Sequence, residues 1–152
     1  MIVYRLARHK YARDLSGKGA ELTGGRWNSR GVPMLYTGES RALCTVEVSV
    51  HVPLGIMPDD YHLIQILIPD ELHMIEVDPD KLDDNWKSIP HHHSTQQIGD
   101  KWAIEKQSAI LTVPSVVVPG DFNYLINPMH PDAGQIQLLK IEVFGFLKCL
   151  SV

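Results

Sequence analysis

Apolar and polar positions alternate with period two over several short stretches, and one longer stretch carries a helical period. MIVYRL at the N-terminus alternates weakly and predicts a first strand. VPMLYTG is a short apolar run stopping at Gly38 and predicts a second. YHLIQILIP and HMIEVD predict consecutive strands about a turn at Pro69-Asp70. ILTV (ended by Pro114), SVVVP, GDFNYLINP and IQLLKIEVFGFL predict further strands and a polar loop rich in Asn and His. TQQIGDKWAIEKQSA predicts the helix, with Thr95 as its cap and Ile98 and Trp102 one turn apart. Residues 14–31 carry Gly17, Gly19, Gly24, Gly25 and Gly31 and are expected to be irregular.

The segment ESRALCTVEVSVHV fits both periods. As a strand it puts Val46, Val48 and Val50 on one face, with Thr45, Glu47 and Ser49 on the other. As a helix it is capped by Ser40 and lines Leu43, Val46 and Val50 along one side, where Glu47 lies over Leu43. The pattern leaves the two open. Many short strands with one or two helices and no βαβα rhythm predict an α+β fold, mostly antiparallel, as one domain over residues 1–152.

Composition narrows the class. Hydrophobic residues at 44% and charged residues at 21% are ordinary for a soluble globular chain and argue against disorder. No stretch approaches the roughly 18–20 apolar residues of a membrane helix, and the N-terminus lacks a signal-peptide pattern. Cys44 and Cys149 lie far apart outside any CxxC spacing, so reduced thiols in a cytoplasmic protein are expected. The net charge of −4 hides an asymmetry: residues 1–41 hold eight Lys/Arg against three acids. A basic end on an acidic chain points to a local anion site rather than a broad nucleic-acid surface. The acidic run from Asp70 to Asp84 is expected to be solvated loop or a surface for a basic partner.

The densest chemistry lies in GGRWNSRGVPMLYTGES. Two glycines before Arg26 let the backbone bend around a ligand, and an arginine there can hold phosphate bidentately. Trp27 and Tyr36 offer flat faces to a heteroaromatic ring; the bland alternative makes Trp27 core and Arg26 an ion-pair partner. The segment matches neither a Walker loop nor GxGxxG. Glu47 is a lone carboxylate between valines, so it should meet a cation or face a cleft unless it sits on an exposed edge. Ser115 reads singly as a turn serine, and Asn123, Asn127 and His130 as loop residues serving either a site or their own backbone. His91, His92 and His93 diverge in direction and have no ligand spacing beside them, so no metal is expected.

Taken in order, YRLAR, GGRWNSRGVPMLYTGES, ALCTVEVSVH, GDKW and VPSVVVPGDFNYLINPMHP resemble the RES domain, the toxin half of bacterial toxin–antitoxin pairs with Xre-type antitoxins. The resemblance runs over essentially the whole chain. It puts the family's Arg, Tyr, Glu and Ser on Arg26, Tyr36, Glu47 and Ser115, and a basic first-strand position on Arg5. It implies a split β-sheet similar to diphtheria-toxin-like ADP-ribosyltransferases, with the Glu47 segment helical. It also implies NAD+ as substrate rather than cofactor, with Arg5, Arg26, Tyr36 and Asn127 as its contacts. The implied activity cleaves the nicotinamide–ribose bond with water or phosphate as acceptor; the alternative is ADP-ribosylation of a macromolecule. The implied partner is an Xre-type helix-turn-helix antitoxin encoded next to it, with no membrane and no direct nucleic-acid binding without that antitoxin. Phe144, Phe146 and Leu147 are expected in the core or on a homodimer surface.

Overall fold

The apolar alternation resolves into one seven-stranded sheet in the computed structural model, which describes residues 1–50, 59–90 and 93–145. The strands are β1 (Ile2–Arg8), β2 (Leu35–Gly38), β3 (Tyr61–Leu67), β4 (Met74–Glu76), β5 (Ile110–Pro114), β6 (Phe122–Ile126) and β7 (Gln137–Val143). Three α-helices accompany them: α1 (Lys18–Thr23), α2 (Arg41–Ser49) and α3 (His93–Ile104). The architecture is the expected α+β, and the Glu47 segment is helical.

Two expectations change. The glycine-rich segment contains α1, entered through Gly17 at φ +72°, where an added Cβ would meet the Met34 backbone nitrogen at 2.6 Å. SVVVP is a turn rather than a strand, because the Ser115 hydroxyl accepts from the N–H groups of Val117 (3.1 Å) and Val118 (3.0 Å). A side chain that satisfies those donors locally removes the need for a ladder partner. His93 begins α3, whereas His91 and His92 lie outside the described residues.

The strand order is β4-β5-β6-β2-β1-β3-β7, and every neighbouring pair is antiparallel except β4 with β5. β1 pairs with β3 along its whole length, from Ile2↔Leu67 to Arg8↔Tyr61. With β2 it shares a single rung, Tyr4↔Gly38. The sheet is thus continuous, with two well-paired blocks that meet at one rung.

Period-two alternation sends side chains into two cores. Val3, Leu35, Ile64, Ile66, Ile110 and Ile126 pack on one side, whereas Trp27, Met34, Trp102, Leu111, Val113 and Leu125 pack on the other. β5 is buried along its whole length because both cores use it. Fully burying one such aliphatic side chain is worth about 1.5–3 kcal/mol, so the two cores fix the strands that carry the site.

α2 lies against β1 and β2 at their shared rung. Ser40 caps it by accepting from the Leu43 N–H at 3.0 Å. The buried Cys44 thiol donates to the Tyr4 carbonyl at 2.9 Å. Gly38 permits this approach, since a Cβ there would stand 3.0 Å from the Cys44 sulfur.

Candidate active site

The next rungs after Tyr4↔Gly38 would be Arg5 with Thr37 and Leu6 with Tyr36, and neither forms. Those residues instead line a cavity of about 270 Å³, closed on a third side by Cys44 and Glu47 of α2. Arg5 shares a strand face with Val3 and Ala7, whereas Tyr36 packs with the opposite core. The cavity therefore occupies the gap where the two blocks of the sheet part.

Glu47 brings a carboxylate to it from α2, and Asp14 is the other acidic residue of its lining. Ser115 donates to Glu47 Oε1 at 2.7 Å, and Asn123 Nδ2 donates to the same oxygen at 2.9 Å. Among the described residues no side chain hydrogen-bonds Oε2. Ser115 is buried, with its own oxygen held by two backbone N–H groups and its backbone N–H bonded to the Asp121 carbonyl at 2.8 Å. The hydroxyl can then donate only along the line that meets Glu47. Asn123, which the sequence leaves as a loop residue, belongs to β6 opposite Gly38 and Val113 and lines the cavity.

Arg26 stands at the edge of this arrangement and is not among the cavity-lining residues. Its Nη1 donates to the Trp86 carbonyl at 2.6 Å, and Nη1 and Nη2 both donate to the Ser88 carbonyl at 3.2 Å. Burial pulls its guanidinium below the ordinary arginine value, while the charge of Glu47 and then Tyr36 oppose that shift. Arg5 faces the cavity directly and donates through Nη1 to the carbonyls of Tyr11 (3.3 Å) and Asp14 (3.2 Å). Burial lowers its value too, opposed by the charge of Asp14.

α3 holds the Gly-Gly-Arg-Trp loop. Thr95 donates to the Arg26 carbonyl (2.6 Å), Gln96 to the Gly25 carbonyl (3.0 Å), and Asp100 accepts from the Ser29 N–H (2.8 Å) and hydroxyl (2.6 Å). Gly99 lets the helix touch this loop, since the Trp27 carbonyl occupies the place of a Cβ. Thr95 is therefore a buried loop anchor inside α3 rather than its cap. The residues GDKW carried this signal in the sequence, but nothing there named the loop as what they hold.

The Tyr36 ring lines the cavity, while its hydroxyl donates to Asn28 Oδ1 (2.6 Å) and accepts from the Trp27 N–H (3.1 Å). Burial raises this hydroxyl above the ordinary tyrosine value. Gly25 makes room for it, because a Cβ there would meet the Tyr36 oxygen at 2.6 Å. Trp27 is core, 3% exposed against Trp86, and offers no face to a ligand. Asn127 is fully buried away from the cavity-lining residues. It donates to the Ala103 carbonyl (2.9 Å) and accepts from the Met129 N–H (3.0 Å), bonds that brace its loop. His130 accepts from the Asp132 N–H in the same loop.

The structure thus gathers Arg5, Tyr36 and Glu47 on one cavity, with Ser115 bonded to Glu47 from outside the lining, Arg26 beside them and Asn127 outside the lining too. The model of the RES domain matches residues 2–143. Curated relatives include a Prs ADP-ribosylating toxin of Sphingobium sp. (strain YBL2), 44% identical over 90% of this chain and 86% of that one. Toxin Res of Photorhabdus laumondii is 40% identical over 87% and 85%, and Toxin Res of Pseudomonas putida is 33% identical over 96% and 95%. A solved structure, the M. tuberculosis MbcT-MbcA toxin-antitoxin complex, shares the fold with a TM-score of 0.76 at 22% identity, covering 95% of this chain and 84% of that one. With its polar residues assembled in the gap of the sheet and the family pattern spanning nearly its whole length, the chain belongs to the RES domain family.

Proposed function

We propose that the chain is the toxin of a bacterial toxin–antitoxin pair and acts in the cytoplasm by cleaving the nicotinamide–ribose bond of NAD+. The observation that carries this reading is Glu47, a cavity-lining residue: one oxygen is held by Ser115 and Asn123, and among the described residues no side chain hydrogen-bonds the other. Bond breaking sends the glycosidic electron pair to the nicotinium nitrogen, so neutral nicotinamide leaves without a proton. Positive charge develops on the ribose ring, and a fixed carboxylate stabilises it. A single carboxylate suffices because the leaving group is already cationic. Arg5 faces the cavity as the cation for the pyrophosphate, the Tyr36 ring is a surface for the nicotinamide or ribose, and Arg26 adds positive potential beside them. The acceptor then adds to the anomeric carbon: water gives a glycohydrolase and inorganic phosphate a phosphorylase.

ADP-ribosylation of a macromolecule is the second reading, favoured by the 44% identical relative named for that activity. Purified antitoxin-free protein given NAD+, with and without phosphate, separates the cases by products. Free nicotinamide in excess over labelled macromolecule is expected, with Glu47→Ala slowed on the order of 10³-fold, in line with loss of an electrostatic transition-state contact. Absence of nicotinamide release by folded protein, or an undiminished rate in Glu47→Ala and Arg26→Ala alike, sinks the reading. The toxin assignment predicts growth arrest on induction and relief by a co-expressed helix-turn-helix partner.

A further inference from the structure

The second donor to Glu47 carries more than that bond. A carboxylate only accepts, so the amide nitrogen of Asn123 must face Glu47 and its carbonyl oxygen must face away. That oxygen lies 3.5 Å from the place of a Gly38 Cβ, on the cavity wall, and among the described residues no donor reaches it. Its backbone is already placed in the ladders with β2 and β5, so the side chain is not needed to satisfy a turn. Two acceptors without a side-chain donor, Asn123 Oδ1 and Glu47 Oε2, thus belong to two cavity-lining residues joined by a 2.9 Å hydrogen bond. A vicinal pair of hydroxyls presents two adjacent donors and matches them.

Resting on the NAD+ reading above, we propose that Asn123 contacts the substrate, its carbonyl accepting one hydroxyl of the nicotinamide ribose while Glu47 accepts the other. Asn123 is then both a positioning residue for Glu47, through its nitrogen, and a specificity residue for an intact ribose diol, through its oxygen. Such a site disfavours a sugar lacking either hydroxyl, because the acceptor opposite it is left desolvated and unpaired.

The test compares kcat/KM for NAD+ with that for its two analogues lacking the 2- or the 3-hydroxyl of the nicotinamide ribose. Wild type is expected to lose about 10-fold on each analogue, the order set by one lost hydrogen bond. Asn123→Ala is expected to lose at least as much on NAD+. On one of the two analogues its additional penalty shrinks to what positioning alone costs, because the hydroxyl it would accept is already missing. Equal penalties for Asn123→Ala on all three substrates, in protein whose melting temperature is unchanged, overturn the substrate contact. The wild-type rate on NAD+ tests the reaction separately. Where that rate is zero but calorimetry detects NAD+ binding, the same three-ligand comparison made on Kd decides the contact alone, and equal Kd penalties overturn it.

Discussion

Ser115 shows how a residue that reads as an ordinary turn serine becomes part of a site. Its oxygen accepts from two backbone N–H groups, so its proton has one place to go, and Glu47 is there. Ser115→Ala is expected to lower kcat for nicotinamide release on the order of 10- to 100-fold, the range of a hydrogen bond to a charged group, with KM little changed. Steady-state kinetics checks this, and an equal rise in KM would make Ser115 a binding residue instead. Tyr36 gives a prediction in alkali. Burial raises its hydroxyl, so the fold favours the neutral form. That contribution is full below the ordinary tyrosine value of about 10 and is lost as pH rises through the higher folded-state value. Phenolate absorbance should show a step above the ordinary tyrosine range, and Tyr36→Phe should remove it. Both residue types were legible as candidates. Their roles were not, because a hydroxyl's partner depends on what the fold sets opposite it.

Among the elements, α2 and α3 do different work. The sequence leaves the Glu47 segment balanced between strand and helix, since its β-branched residues favour one and its Ser40 cap the other. Packing decides it: a helix puts Leu43 and Cys44 against the β1–β2 rung and turns Glu47 toward the cavity. Burial also pushes the Cys44 thiol up to about 12, so Cys44 should resist iodoacetamide at pH 8 in the native protein and react once unfolded, as peptide mapping would reveal. α3 clamps the Arg26 loop through Thr95, Gln96 and Asp100, and only a glycine at position 99 allows that approach. Gly99→Ala should therefore cost about 1–3 kcal/mol, as overpacking does, and impair nicotinamide release although position 99 lies outside the cavity lining. Thermal denaturation alongside activity checks this; a wild-type melting temperature with wild-type activity would refute the clamp. Trp27 illustrates a sequence-level ambiguity resolved by neighbours: its flat face suited a ligand, and the fold gave it to Trp86 and the core.

For the molecule as a whole, the decisive feature is a sheet that stays joined at one rung and opens beside it. A ligand held between the two blocks adds contacts that the unfolded chain lacks, so it should raise stability by mass action. With Glu47→Ala protein, whose turnover is slowed on the order of 10³-fold on the reading above, NAD+ at 100 times its Kd should add about 2.7 kcal/mol. For a chain of this size that raises Tm by roughly 5–10 °C. Differential scanning fluorimetry measures it, and no shift up to millimolar NAD+ would count against the cavity as the substrate site. Among the described residues no helix is long and apolar enough to cross a membrane. The homodimer expectation rests partly on Phe146 and Leu147, which lie outside the described residues.

By itself the sequence determined which segments alternate, where glycines and prolines interrupt them, and that one carboxylate sits among valines at position 47. These follow from local periodicity and backbone sterics, which neighbours in the chain express. It also carried the ordered motifs that place the chain in its family. Only the tertiary structure decided that Ser115 and Asn123 meet on one oxygen of Glu47, that Arg5 lines the cavity and Arg26 does not, and that Asn127 braces a loop. Those facts depend on contacts across 68 and 76 residues of chain for the Glu47 oxygen alone. At such separations the partner is chosen by strand register and by the packing of both cores, not by any pattern in the flanking residues.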